Sequence, residues 1–420
     1  MPKLLRKKKA NESFLKYLFS LSHLWLGLLS SLILIVVCLT GSLLVFEQPI
    51  KNWANRAHRK VEVGAEKVSL DLLKQKYVDT FGAEPGRITV PASSNEAIHF
   101  FTFNRQTGER ISAFANPYTG EFTGEESQAL IGFFSTTLRL HRWLLVRGPG
   151  KQIVGAATVI FLFLCLSGLV LWWPKRWKQV KQGLKVKWNA KFYRVNYDLH
   201  SVLGFYALLG LFFLGATGLY FSYPSVRNGI NVAFGADVEE VAQSGSGHSH
   251  GPQSNTRQGN RGANQREGRN RNQAGGRKNN LNILDQGIQK VNEELIYSSD
   301  VIINLPGRRS DNYRFKKSNR NNWLRAYLPD YIELNGRGRQ VNKQLYSDLP
   351  LNEQVTTIMR PMHTGEIAGW PSMILYFVLC LIGTSLPITG FIIWYKRESK
   401  IAKKVRQEKH NYERCRLQKI

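Results

Sequence analysis

Charge-free apolar runs and polar stretches alternate along the 420-residue chain. The apolar runs lie at about 24–46, 153–173, 202–223 and 373–395. Each is long enough to cross a bilayer as a helix, which needs roughly 20 apolar residues. A soluble core helix rarely stays uncharged over such a length. The pattern therefore predicts a mainly α membrane protein with four transmembrane helices. The first run is too long for a cleavable signal peptide, and no A-x-A site follows it, so it reads as a retained anchor.

The two long polar stretches, about 47–140 and 224–362, carry a different pattern. Residues 68–82 have the period of a short amphipathic helix, and 87–91, 97–103 and 111–116 alternate as strands do. Asn116-Pro117-Tyr118-Thr119-Gly120-Glu121 closes this unit with a turn. The second stretch echoes it, with a helix near 281–294 and strands near 299–305, 312–317 and 323–328. Two small α+β domains result, and they would gain stability by packing on each other or on the membrane surface. Between them, 243–280 is rich in Gly, Asn, Gln, Ser and Arg and has almost nothing apolar to bury, so it is expected to be disordered. It reads as a variable insertion, or as a basic loop that attracts anionic substrates or lipid headgroups. His248 and His250 within it make only a weak metal site.

Charge adds an orientation. The net charge is +28, and basic residues cluster in 1–16, 175–194 and 396–420. With four spans these three segments share one side, which the positive-inside rule makes cytoplasmic. Because the charge is divided among membrane-flanking segments, a nucleic-acid partner is not expected. The expected order is a basic N-terminus (1–22), span one (23–46), an outer domain (47–140), and an outer-face segment with span two (141–174). A basic loop (175–199), span three (200–223) and a second outer domain (224–362) follow. The chain ends with an outer-face segment and span four (363–395) and a basic tail (396–420). In a bacterium this places the chain in the inner membrane, with both termini cytoplasmic and the domains in the periplasm. Of four cysteines, Cys38, Cys165 and Cys380 lie in apolar runs, and no CxxC or CxxCH occurs. That excludes a disulfide scaffold, a thiol redox motif and c-type haem attachment.

An internal repeat underlies the four spans. His23 and His200 each open an H-x-x-x-G, and Thr40-Gly41 and Thr217-Gly218 follow them at the same spacing. His141 and His363 are followed at matching distances by Ser167-Gly168 and Thr389-Gly390, then by Trp172 and Trp394. The chain thus reads as two copies of one unit: span, outer domain, span. His23 and His200 fall where spans one and three begin, on the cytoplasmic side. His141 and His363 precede spans two and four. Gly148-Pro149-Gly150 and Gly369-Trp370-Pro371 interrupt those stretches, so both histidines belong on short elements at the outer interface. One histidine pair is expected near each membrane face.

A single histidine at a helix end is ordinarily a hydrated polar residue. Two matched pairs, one per leaflet, are what two bis-imidazole b-type haems require. Gly41, Gly168, Gly218 and Gly390 are expected to make room for the haem planes, with close helix packing as the alternative. Arg139, Arg142 and Arg360 stand near the outer histidines as propionate partners, or as interfacial anchors. Glu47 and Glu366 could relay protons or bind a cation, or simply be solvated. Trp25, Trp143, Trp172, Trp173, Trp370 and Trp394 fit an aromatic belt.

These residues also resemble a family. HLWLG (23–27), LHRWLL (140–145), SGLVLWWPKR (167–176), DLHSVLGFY (198–206), TGLYF (217–221), HTGEIAGWP (363–371) and TGFIIWYKR (389–397) are similar to the PepSY-associated transmembrane helix proteins. NPYTGE (116–121) resembles the end of a PepSY module, whereas the second domain has Pro329–Gly336 where a D-x-x-T-G turn belongs. The family includes dihaem inner-membrane reductases of ferric siderophores. The resemblance implies that His23, His141, His200 and His363 are axial haem ligands and that a ferric siderophore or other ferric chelate is reduced at the outer face, which would release Fe(II) for uptake. No strand–GxGxxG–helix unit is present for a flavin or nicotinamide, so the expected donor is membrane quinol or a separate reductase. Two alternatives remain: a non-catalytic membrane protein whose PepSY modules bind a peptidase or cell-envelope partner, and a transporter or permease partner. Four spans with no central charge or broken helix speak against a transporter.

Overall fold

The computed structural model describes residues 8, 12–103, 110–174, 180–238, 282–307, 310–320 and 327–417. The insertion at 243–280, with His248 and His250, lies outside them. The chain runs α1 (Phe14–Val45), α2 (Glu47–Ala54), α3 (Arg56–Arg59), α4 (Leu70–Phe81), β1 (Arg87–Val90), β2 (Ile98–Phe103), β3 (Arg110–Ala115), β4 (Phe122–Glu125), α5 (Gln128–Trp143), α6 (Gly150–Trp172), α7 (Val180–Gly183), α8 (Phe192–Ser222) and α9 (Pro224–Ala233). It continues with α10 (Ile283–Glu294), β5 (Val301–Asn304), β6 (Tyr313–Asn319), β7 (Leu328–Leu334), β8 (Gln340–Gln344), α11 (Leu351–Thr364) and α12 (Trp370–Leu417). Two compact units result, one of Met1–Glu47, Phe134–Gly229 and Met362–Ile420, the other of Gln48–Phe133 and Ile230–Pro361.

The first unit is a bundle of four helices long and apolar enough to cross a membrane: α1, α6, α8 and the Trp370–Lys403 part of α12. Both α1 and α8 pack on α6 and on α12, so α1 and α8 occupy opposite corners. Each starts about ten residues before its uncharged run, because the helix continues through mixed turns that carry Lys16 in α1 and Arg194 and Asp198 in α8. Ser13 caps α1 by accepting from the Lys16 backbone N–H. His23 and His200 therefore lie inside helices longer than the spans, just ahead of the apolar runs and not at the helix starts. Past Tyr395, α12 also runs on to Leu417 through the basic tail.

The second unit is α+β. Its eight strands form one antiparallel sheet in the order β4-β3-β2-β1-β5-β6-β7-β8. Each half is a helix followed by four strands, and the halves join where β1 pairs antiparallel with β5, Ile88 opposite Ile303. Helices α4 and α10 share one sheet face, and Leu73, Tyr77, Phe100, Leu284, Val291 and Phe315 form the core beneath them. The two domains thus pack on each other as expected, as one sheet.

Strands β4 and β8 were not legible in the sequence, being short and mixed in polarity. The strand expected at 323–328 is instead β7, Leu328–Leu334, and 321–326 lie outside the described residues. The counterpart of the Asn116–Glu121 turn is Asn335–Arg339, not Pro329–Gly336, whose first six residues belong to β7. In each turn the Asn N–H donates to the last carbonyl, at 2.8 Å for Glu121 and 2.9 Å for Arg339. Gly120 and Gly338 both take φ +72°, the left-handed conformation that such a turn requires.

The halves cap each other's helices. Asp285 accepts the Leu70 N–H at 3.0 Å and the Ser69 hydroxyl at 2.5 Å, while Asp71 accepts the Leu284 N–H at 3.0 Å. Each carboxylate satisfies backbone donors that the other helix leaves open at its N-terminus. Asp285→Ala is expected to lower stability by about 1–2 kcal/mol, read as a shift of the urea midpoint of the detergent-solubilised chain.

On the opposite sheet face, His99 Nε2 lies 2.7 Å from Ser112 Oγ, whose hydroxyl donates to Glu126 at 2.9 Å. Burial holds the His99 imidazole down to about 4, helped by Arg87, Arg59 and Lys51. An unfolded histidine titrates near 6.5, so on acidification the unfolded chain takes up this proton first. The stabilisation tied to neutral His99 is complete above about pH 6.5 and is lost as pH falls towards 4. The thermal midpoint is expected to fall more steeply between those values in the parent chain than in His99→Gln, measured by a pH series of melting curves.

Candidate functional site

The corner placement of α1 and α8 brings His23 and His200 opposite each other across the bundle, with ring centroids 6.5 Å apart and the ring planes perpendicular at 88°. The second pair comes from short helices outside the spans. His141 lies near the end of α5 and His363 near the end of α11, and their centroids are 6.3 Å apart. Both lie on short elements ahead of their spans, as expected. After α5 the backbone reverses through Leu144 (φ 55°), Leu145 (φ 60°) and Gly148 (φ 80°) before α6 begins. Left-handed leucines are costly, and the backbone bonds from Leu144 N–H to Leu140 O and from Val146 N–H to Trp143 O, both 2.9 Å, tie this reversal to the end of α5.

Each imidazole docks on a Ser/Thr-Gly pair of a neighbouring helix. His23 Nδ1 lies 2.8 Å from Ser167 Oγ on α6, and His200 Nδ1 2.9 Å from Thr389 Oγ1 on α12. His141 Nδ1 lies 3.2 Å from Thr40 Oγ1 on α1, and His363 Nδ1 2.9 Å from Thr217 Oγ1 on α8. Every one of these hydroxyls donates its own hydrogen to a backbone carbonyl of its helix. The hydroxyl oxygen must then accept from the ring, so the hydrogen sits on Nδ1. Nε2 keeps its lone pair, the tautomer a metal ligand needs. Backbone carbonyls reinforce the arrangement: His141 Nδ1 also donates to Val37 O at 2.9 Å and His200 Nδ1 to Leu386 O at 3.1 Å, and His363 bonds the Leu214 backbone. Asn196 donates to the Thr389 carbonyl at 3.0 Å and steadies that acceptor turn.

The glycines face the imidazoles. A Cβ on Gly41 would lie 3.2 Å from His141 Cε1, and one on Gly390 3.3 Å from His200 Cε1. At Gly168 and Gly218 the distance to the Cε1 of His23 and of His363 is 3.5 Å. At each position the missing Cβ lets the ring reach the adjacent hydroxyl. The hydroxyl residues Thr40, Ser167, Thr217 and Thr389 complete the site, and the signal for them was the repeated dipeptide itself.

Of the three arginines, Arg360 lies three residues before His363 on α11, which puts both on one helix face. Arg139, two residues before His141, is exposed and turned to the other side of α5. Arg142 is exposed too, and stacks on Trp143 with 5.2 Å from its guanidinium carbon to the ring centroid.

A metal between two imidazoles, with metal–nitrogen bonds of about 2 Å and rings of about 1.1 Å radius, sets ring centroids about 6 Å apart. Both pairs have this spacing. Burial holds His141 below the usual imidazole range and His363 at about 3, with His141 adding to the shift of His363. Both therefore stay in the neutral, ligating form. Among the described residues no group of three or more His, Cys, Asp or Glu side chains could hold an ion. A bare tetrahedral ion would lack ligands here, whereas a haem, which brings its own ring nitrogens, would need from the protein only the two imidazoles of one pair. The residues fit haem.

Along α1, the 17 residues from His23 to Thr40 separate the two levels by about 25 Å. Between them lies an apolar layer that includes Cys165, Ala207, Leu211 and Leu379. No curated protein matches the chain. A family model described as the PepSY-associated TM region matches residues 21–397, and the chain belongs to that family.

Proposed function

We propose that the protein is a dihaem b-type oxidoreductase of the bacterial inner membrane, passing electrons across the bilayer to a ferric siderophore or similar ferric chelate. The observation that carries this reading is the two facing imidazole pairs, each ring fixed with its metal-binding nitrogen free. His23 and His200 would hold one haem, His141 and His363 the other. Haem between two imidazoles supplies one-electron ferric–ferrous chemistry.

The chain's own contribution is position and insulation. The hydroxyls set the tautomers and the glycines set ring depth. The apolar layer between the levels makes ion passage costly. Arg360, on the His363 face of α11, is the arginine best placed to meet a propionate, with Arg142 beside His141 as the second. The basic segments 1–16, 175–194 and 396–420 favour the His23–His200 level at the cytoplasmic side. The α+β unit then faces the periplasm, where its two helix-plus-sheet halves are read as PepSY-like modules. One electron converts the chelated Fe(III) to Fe(II), which hard oxygen donors hold less tightly, so iron leaves the chelate. Membrane quinol, or a separate reductase, supplies the electron.

Purified protein is expected to carry two haems per chain in a pyridine haemochrome assay. His141→Ala, His363→Ala, His23→Ala and His200→Ala should each lower this to one, and so should Gly41→Val, which drives a side chain into the His141 ring. Protein that takes up no pigment under ample haem supply would sink the reading. In proteoliposomes, internal dithionite is expected to reduce external ferric chelate, seen with a ferrous-specific dye. His363→Ala should cut that rate at least tenfold.

A further inference from the structure

Three of the four imidazoles are held twice and one is held once. His141 Nδ1 reaches Thr40 Oγ1 and the Val37 carbonyl, and His200 Nδ1 reaches Thr389 Oγ1 and the Leu386 carbonyl. His363 bonds Thr217 Oγ1 and the Leu214 backbone. In each case the carbonyl belongs to the residue three before the threonine, on the same helical turn. The equivalent carbonyl for His23 is that of Leu164. Among the described residues it accepts from the Ser167 hydroxyl at 3.2 Å but makes no bond to His23, whose Nδ1 has Ser167 Oγ alone, at 2.8 Å. Ser167 is also the one position of the four where the hydroxyl sits on an unbranched side chain, with freer rotation at χ1. Its side chain is fully buried, so water does not stand ready to replace it.

We infer that Ser167 is the sole positioning residue of His23, and that His23 is the one axial ligand of the four whose place opens when a single hydroxyl is removed. This rests on the dihaem reading above. At the other three sites, loss of the hydroxyl leaves a carbonyl to keep the hydrogen on Nδ1 and the ring in its plane. At His23, loss of the Ser167 oxygen leaves a buried N–H without an acceptor. The ring then gains by turning or by moving its hydrogen to Nε2, and either change withdraws the nitrogen lone pair from the metal position. A haem held at the His23–His200 level would then lack the His23 nitrogen and would accept a small neutral ligand such as carbon monoxide in its place.

The test uses the full-length protein in detergent, reduced with dithionite and titrated with carbon monoxide, with haem stoichiometry measured in parallel. Ser167→Ala is expected to keep two haems and to bind carbon monoxide at about half of them, well above the parent level. Ser167→Thr, which restores the oxygen, is expected to return binding to the parent level. Thr40→Ala and Thr389→Ala are expected to stay close to it. Loss of one haem in Ser167→Ala, with two retained in both threonine variants, would also support the assignment. Two haems in Ser167→Ala with carbon monoxide binding no higher than in the parent would overturn it, as would equal binding in the threonine variants. A parent protein without haem would instead overturn the dihaem reading, so the two failures are distinguishable.

Discussion

A neutral imidazole in a low-dielectric bundle has one N–H that must find an acceptor and one lone pair that is useful only if left free. The Ser/Thr-Gly dipeptide meets both conditions. Its hydroxyl has already given its hydrogen to the helix, as with Thr217 Oγ1 to Phe213 O at 2.9 Å, so only its oxygen is on offer. The glycine removes the Cβ that would hold the ring away. Leaving such a buried donor unpaired costs about 1–3 kcal/mol, large against the net stability of a fold. Four copies of this contact decide which helix faces turn inward, and with them the placement of α5 and α11.

Each of α1 and α8 carries one histidine and, 17 residues later, the dipeptide for another. His23 and Thr40 lie on α1, and His200 and Thr217 on α8. These two helices therefore tie one level of the bundle to the other. By contrast α6 and α12 each contribute only an acceptor, Ser167-Gly168 and Thr389-Gly390. The duplicated unit thus divides its labour: each odd span provides one histidine and one acceptor, and each even span an acceptor alone. A shift of α1 along its axis would disturb both levels at once, whereas a shift of α6 would disturb His23 alone.

Much of this could be read from the sequence, because the constraints that shaped it are local or periodic. Uncharged runs of membrane length gave the spans, and the equal offsets from His23 to Thr40 and from His200 to Thr217 gave the repeat. The pairing of the histidines followed from their shared depth. What escaped depended on long-range contact. Strands β4 and β8 exist because β3 and β7 offer edges to pair with, not because Phe122–Glu125 or Gln340–Gln344 alternate in polarity. The fusion of the two halves into one sheet rests on the β1–β5 pairing and on Asp71 and Asp285, whose side chains read as ordinary helix-start acids until the partner helix is in view. The repeated glycines are legible from spacing, whereas their closeness to the imidazole Cε1 atoms is a long-range contact that only the fold shows.

The layer between the two histidine levels narrows what such a bundle can carry. An ion moving the roughly 25 Å between them would meet Cys165, Ala207, Leu211 and Leu379, with no charged side chain in the apolar stretches beside them. A charge at the bilayer centre costs at least about 2.5–3.5 kcal/mol even with local rearrangement. A conduit for ions or a solute transporter would be expected to lower that barrier with charges, broken helices or water. In this bundle the hydroxyls that meet the imidazoles lie at its two ends, while Ser30, between the levels, gives its hydrogen back to Leu26 O of its own helix at 2.7 Å. An electron needs no hydration shell and no open path, so the arrangement suits electron passage and opposes the movement of anything larger.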